Sequence, residues 1–455
     1  MPIWANGDEL SVVAGSAAVW WLDLSGPFGD CPAGVDWTIE LPDGVDLLDP
    51  TGRPHFGTGP DAHRPHIERD GQRVALSFPG YLPGENRRRP MSDPKGWCEL
   101  HYPLVVLAST LADGAVVRIE RRALGDCDER EIEMRVYGRP DELVPSDHRR
   151  CMHLQFLPWF SDEEQQELAA TLRRCGITDC QLNWHGTGIP LLPPDAYGLT
   201  ARTLRRAMPG VRIWIGGLPG ADTSLPRAEA LYGQQIPFVV SPEAAVARGP
   251  DLVVASERSW CEATQADGVM INLEEPAAVD TDAMPAHCFS EASRRHFAQE
   301  LDLPSIPDPL HILSQHREEW VDFCCRQMVR LLEVARLGHG GRPLAVCAYG
   351  PGGPARSESS ADWAQLAEVA DVLCYAHPEQ APPASAARHW GYTRFGGTPQ
   401  SWWAEWHDPL GVIPDRDLAV PDAKLQLAFS GGHGVRLGAW AALDGAVQVQ
   451  LMGWR

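Results

Sequence analysis

Up to about residue 148, apolar and polar positions alternate over short stretches broken by Pro and Gly, which recur through Pro42–Pro60 and Pro79–Pro94. Glu131-Ile-Glu-Met-Arg-Val-Tyr137 alternates strictly, with one face polar and the other apolar, as a half-buried strand does. Leu104–Leu111 and Ala115–Arg121 flank Ala112-Asp113-Gly114, a D-G turn signal that predicts a β-hairpin. No stretch here keeps a helical period, so residues 1–148 read as an all-β, sandwich-like domain. Trp20 and Trp21 fall on opposite faces of one predicted strand, with one ring expected in the core and the other at a domain interface.

After Asp147 the pattern becomes strand, helix, strand. Apolar strands are predicted at Cys151–Pro158, Thr178–Trp184, Val211–Gly216, Asp267–Glu275, Pro343–Tyr349, Asp371–Tyr375, Gln400–Trp406 and Val435–Trp440. Helices are predicted from Ser161 to Cys175, and over Leu199–Met208, Ser290–Leu301, His316–Leu337, Asp362–Ala370 and Asp422–Phe429. Ser161-Asp-Glu-Glu supplies an N-cap and an acidic first turn, and Gly176 a stop. Strands alternating with helices imply parallel β-α-β units. Eight strands over residues 149–455 match an α/β fold of the (β/α)8 TIM-barrel type, although the strands at Asp267 and Gln400 have no clear helix before them. A doubly wound sheet is disfavoured, because neither a G-x-G-x-x-G turn nor a P-loop follows the first strand.

Parallel barrels place their chemistry where strands end and loops begin. Those ends carry Asn183, Trp184 and His185 after strand two, Glu274 and Glu275 after strand four, and Tyr375 and His377 after strand six. Strand seven ends in Trp403, Glu405 and Trp406, and strand eight in Trp440. Two carboxylates facing across a barrel mouth are the machinery of glycoside hydrolysis: one donates a proton to the leaving oxygen, and the other attacks the anomeric carbon or activates water. The aromatic rings suit stacking against sugar faces, and Asn183 suits hydrogen bonds to hydroxyls. A carboxylate among indoles, as Glu405 is, must be paired or functional.

Ile271-Asn-Leu-Glu-Glu-Pro276 resembles the strand-four Asn-Glu-Pro signature of the glycoside hydrolase clan with acid/base and nucleophile Glu on strands four and seven. Ser401-Trp-Trp-Ala-Glu-Trp-His407 resembles that clan's strand-seven end. Cys288–Phe297, and Leu427–Val435 running into Trp440, resemble segments of its β-galactosidase-like members, so the likeness covers roughly Cys151 to Trp440. The resemblance implies a retaining glycosidase with Glu275 as acid/base and Glu405 as nucleophile. Glu274 stands where many members carry a sugar-binding Asn, and no strand-two Arg of their usual kind is present. By parity Glu274 shares a side with Asn272, and Glu275 with Ile271 and Leu273.

The charge balance of 39 Lys+Arg against 61 Asp+Glu, a net −22, disfavours nucleic acid or an anionic membrane as partner. No apolar run approaches the length of a membrane span. The first apolar run, Ser11–Leu22, lacks the basic lead and cleavage site of a signal peptide. The twelve cysteines include no C-x-x-C pair, so a reduced, cytoplasmic protein is expected. His185, His407 and His433 form no close-spaced ligand set, and neither metal nor cofactor is expected. The expected partner is an oligosaccharide or glycoside, and an edge of the β-domain offers a contact for a second copy. The rival readings are a non-catalytic carbohydrate-binding barrel and a metal-dependent barrel lyase or amidohydrolase.

Overall fold

A computed structural model describes residues 9–23, 26–27, 34–50, 56–57, 65–79, 97–98, 100–123, 126–138, 149–154, 157–182, 192–217, 219–220, 224–273, 288–349, 356, 360–376, 401–406, 434–437, 448–449 and 451–452. Two sheets build the N-terminal region. One has the order β1 (Glu9–Val13), β12 (Asp126–Tyr137), β11 (Val116–Ala123), β4 (Gly34–Glu40), β8 (Arg73–Pro79), β7 (His66–Asp70). The other joins β2 (Ala17–Asp23), β10 (Leu100–Ala108) and β5 (Val45–Leu47), with β6 (Phe56–Gly57) also on β10. Leu10, Val12, Trp20, Trp37, Leu104, Val106, Ile119 and Met134 pack between them. β1 runs parallel to β12, so the region is mixed rather than purely antiparallel.

The D-G hairpin does not form. β10 pairs with β2 and β5, whereas β11 pairs with β12 and β4, so the chain changes sheets between them. Gly114, at φ +73°, donates from its N–H to the Met134 carbonyl, and the Asp113 carboxylate accepts from the Val136 N–H. A strong local turn signal is thus spent on a corner between the two sheets.

The sheet of β2 and β10 is buried on both faces. Ala18, Trp20, Leu104 and Val106 enter the sandwich core, while Ala17, Val19 and Val105 join the core that packs the second region. That explains the near-continuous apolar runs of these strands. Trp20 is therefore the sandwich ring; the Trp21 side chain lies outside the described residues.

In the second region eight strands pair in parallel and close on themselves: β13 (Arg149–His153), β14 (Asp179–Gln181), β15 (Arg212–Gly217), β18 (Gly268–Asn272), β19 (Leu344–Tyr349), β20 (Val372–Ala376), β21 (Ser401–Trp406) and β22 (Gly434–Leu437). The expected regular (β/α)8 architecture needs correction all the same. Among the described residues helices stand in the crossovers as α1 (Asp162–Arg174), α2 (Pro194–Ala207), α3 (Pro242–Arg248), α4 (Pro250–Val253), α5 (Ala255–Thr264), α6 (Glu291–Glu300), α7 (Pro309–Gln315), α8 (Arg317–Gly338) and α9 (Trp363–Val369). Among the described residues these occupy the first five crossovers unevenly, three helices standing in each of the third and fourth, so strict one-to-one strand–helix alternation does not hold there. Between β15 and β18 the chain inserts an antiparallel hairpin, β16 (Arg227–Glu229) with β17 (Gln235–Val240), ahead of three helices. The ring follows from strand register, whereas each crossover follows its own local pattern. The predicted helix Asp422–Phe429 lies outside the described residues.

α1 forms as its sequence dictates. Ser161 Oγ accepts from the Glu164 N–H, and the Glu164 carboxylate accepts from the Ser161 N–H, completing a capping box. Acids fill the first turn and Arg173 and Arg174 the last, complementing the helix dipole. Gly176 ends it at φ +68°, where a Cβ would also press on Arg150. Buried Arg150 donates to the carbonyls of Cys175 and, from the far end of the chain, Leu451.

Candidate functional site: the barrel interior and its mouth

Register and burial separate the two faces of the barrel strands. Met152, Cys180, Ile213, Ile215, Val269, Ile271, Leu273, Val346 and Leu373 pack with the helices. Cys151, Trp214, Met270, Ala345, Cys347, Val372 and Cys374 form a separate cluster, the filling of the barrel. Side chains of one parity therefore face the axis and those of the other face the helices.

At the N-terminal ends of the strands the interior is closed by a charged knot. Asp179 is fully buried and accepts from Trp214 Nε1 at 2.8 Å, Arg149 Nε at 2.7 Å and Thr178 Oγ1 at 2.7 Å. A second Arg149 nitrogen completes a bidentate pair, and Arg212 Nε stands 3.4 Å away. Such a carboxylate is held by donors on every side, which is what burying a charge requires.

Toward the C-terminal ends, axis-facing positions become polar again: His153 on β13, Gln181 on β14 and Asn272 on β18, all buried. Glu405 lies on β21, and its side chain is outside the described residues. Its backbone pairs in register with Arg436 on β22, and Arg436 pairs with Cys151 on β13. Trp403, two residues earlier, pairs in backbone register with Cys374 on β20. One continuous register row therefore runs Glu405, Arg436, Cys151, Asp179, Arg212 from the end of one strand to the start of another.

Other expected site residues fall differently. Tyr375 pairs in backbone register with Ala404, and the side chains of Tyr375 and Trp406 lie outside the described residues. Asn183, Trp184, His185, Glu274, Glu275, His377 and Trp440 lie outside the described residues. What is described of β18 answers one question: the parity of Asn272 faces the axis, and that of Ile271 and Leu273 faces the helices. His153, Gln181 and Arg436 were not foreseen. The signal for them was a polar residue two places from a buried axis-facing one, as in Cys151-x-His153 and Asp179-x-Gln181.

Glu120, Cys127 and Glu129, on β11 and β12, bring three ligand-type atoms within 4.8 Å of one another. Arg122 already serves this group: it is ion-paired to Glu120 and hydrogen-bonded to Cys127. Burial pushes the thiols of Cys175 and Cys261 up to about 12 and that of Cys180 well above the usual range, so these cysteines behave as small apolar side chains. No helix among the described residues is long and apolar enough to cross a membrane.

No protein-family model matches the chain, and no curated protein does. Among solved structures it is similar to dihydrodipicolinate synthase from Rhodopseudomonas palustris, at 13% identity and a TM-score of 0.35, over 68% of this chain and 76% of that one. A Bacteroides fragilis NCTC 9343 protein, provisionally described as an alpha-galactosidase/melibiase, is 10% identical with a TM-score of 0.23, over 81% of this chain and 55% of its own. A non-cellulosomal cohesin from Archaeoglobus fulgidus is 12% identical with a TM-score of 0.18, over 30% of this chain and 86% of its own. Likenesses this slight fix neither an activity nor a family for the chain.

Proposed function

We propose that the chain is a glycoside hydrolase acting through two carboxylates, with Glu405 as nucleophile and, as acid/base, either Glu275, as the motif implies, or Glu274, which shares the axis-facing parity of Asn272. The observation that carries this reading is the position of Glu405 near the C-terminal end of β21, a strand of a closed parallel barrel. A carboxylate at a strand end can meet a ligand entering from the loop side, whereas the oxygens of Asp179 are already engaged. Buried His153, Gln181 and Asn272 supply polar groups on the same axis-facing series, and Trp403 adds an aromatic position. Glu274 and Glu275 follow directly on Asn272 and Leu273, which makes that segment the natural source of the second carboxylate. In a retaining enzyme the two carboxyl groups stand about 5–5.5 Å apart.

Turnover on a panel of aryl glycosides tests the proposal. Glu405→Gln and Glu275→Gln should each abolish steady-state hydrolysis, while azide should rescue the Glu275 variant on substrates with good leaving groups. Near-normal rates in the Glu405 variant would exclude its role. If Glu274→Gln, not Glu275→Gln, removes activity, the acid/base is Glu274. Glycan binding without hydrolysis, unchanged in both variants, would instead favour a binding barrel, and loss of activity to a chelator a metal enzyme.

A further inference from the structure

Among the described residues β2 ends the smaller sheet of the sandwich, with β10 on one side only. A strand in that position presents backbone N–H and C=O groups that must find partners elsewhere. At Ala17, which is fully buried, side chains of the second region supply both. Its N–H donates to Thr171 Oγ1 on α1 at 2.9 Å, and its carbonyl accepts from Gln448 Nε2 at 2.9 Å. The turn before it is held as well: Arg174, in the last turn of α1, donates from Nε to Ser16 Oγ at 3.1 Å and from Nη2 to the Gly15 carbonyl at 3.3 Å. Val13, Ala17, Val19, Leu48 and Val105 share one apolar core with Leu168, Leu172 and Cys175 of the first crossover and with Leu451 and Met452. The Leu451 carbonyl in turn accepts from Arg150 Nη1 at 2.6 Å, the same nitrogen that donates to the Cys175 carbonyl past the end of α1 at 2.7 Å. Arg150 stands on β13 in register with Val435 on β22, at the seam where the first and last strands of the ring meet.

We infer that residues 448–452 are a strap that, together with α1, binds the sandwich to the barrel and makes the two a single cooperative unit. The strap reaches β2 through Gln448, β13 through Leu451, and the shared core through Leu451 and Met452. Without the barrel, the Ala17 N–H and carbonyl would lose these partners, and the apolar face of Ala17, Val19 and Val105 would meet water. The contacts gather at the last turn of α1 and the start of β13, the end of the barrel opposite the strand ends where ligands enter. The sandwich is thus a structural layer of the barrel and not a separately folding module, and this holds whether or not the chain cleaves glycosides.

The test is hydrogen exchange of the full chain across a urea series, read by mass spectrometry on peptides from β4 and β11 in the sandwich and from β15 and β18 in the barrel. In the wild type all four should lose protection at one urea midpoint. Two separate midpoints, with one region outlasting the other, overturn the inference, and that result needs no variant to fold. Thr171→Val and Gln448→Leu change residues of the second region alone. Each should speed exchange of the β4 and β11 peptides by about tenfold, as one unsatisfied buried group does, and that of the β15 and β18 peptides by the same factor. Sandwich peptides that keep their wild-type exchange while the barrel peptides shift overturn the coupling, and no change in any of the four overturns the strap. Turnover does not enter this readout, so failure of the glycosidase proposal would leave the result standing.

Discussion

Two acidic residues stand at very different places on the barrel strands. Asp179 sits at the floor, fully buried, with two arginines, an indole N–H and a threonine hydroxyl around it. Glu405 lies three register steps away on the same row, near the end of its strand. The floor carboxylate has spent its lone pairs on the fold. One at the mouth, next to the loops, keeps capacity for a substrate. On the proposed reading, position along the strand, more than residue type, divides the structural acid from the functional one.

The sharpest way to break this contrast is to remove each acid in turn. Asp179→Ala leaves Arg149 and Arg212 without their buried partner and should cost about 3–5 kcal/mol of stability. Glu405→Gln should change stability by less than about 1 kcal/mol while removing activity. Comparable losses in urea denaturation would erase the distinction between floor and mouth.

A second probe lies beside the floor, at His339 in the turn between α8 and β19. Burial, aided by Arg342 and Arg258, pushes its imidazole down to about 4 from 6.5. The folded protein therefore refuses a proton that the unfolded chain accepts between those values. Stability should fall as pH drops from about 6.5 to 4, by up to about 3 kcal/mol. His339→Phe should flatten that part of the urea-midpoint profile relative to wild type; parallel profiles would show that another group carries the slope.

The smallest expected effect concerns packing above the knot. A Cβ on Gly268 would collide with the six-membered ring of Trp214, whose indole N–H is tied to Asp179. Gly268→Ala should cost about 1–3 kcal/mol, part of it recovered in Gly268→Ala/Trp214→Phe. Simple additivity in that double-mutant cycle would mean the ring is free to move and the floor less rigid than described.

Some of this organisation was legible in the residues. The α1 capping box was readable because its signals lie within four residues of one another. α5 was not read: the stretch from Gly217 to Ala266 looked irregular, since Ala255-Ser-Glu-Arg-Ser-Trp-Cys261 offers few apolar positions to reveal a period. The turn at Asp113-Gly114 was read correctly as a turn and wrongly as a hairpin, because a local motif says nothing about which sheet each flanking strand joins. Asp179 drew no notice at all. In sequence it is one acid after Thr178 at the start of a strand, and its donors come from Arg149, Arg212 and Trp214, 30 or more residues away.

The sequence by itself determined where chain direction and hydrogen bonding must repeat: eight apolar runs that become strands, and the caps that start and stop helices between them. These depend on near neighbours, and near neighbours are written side by side. Only the tertiary structure decided which face of each strand looks inward, because both faces are buried and the apolar pattern marks neither. That choice, fixed by register around a closed ring, sets Asp179 into the floor and brings Glu405 and Arg436, 31 residues apart, onto neighbouring positions.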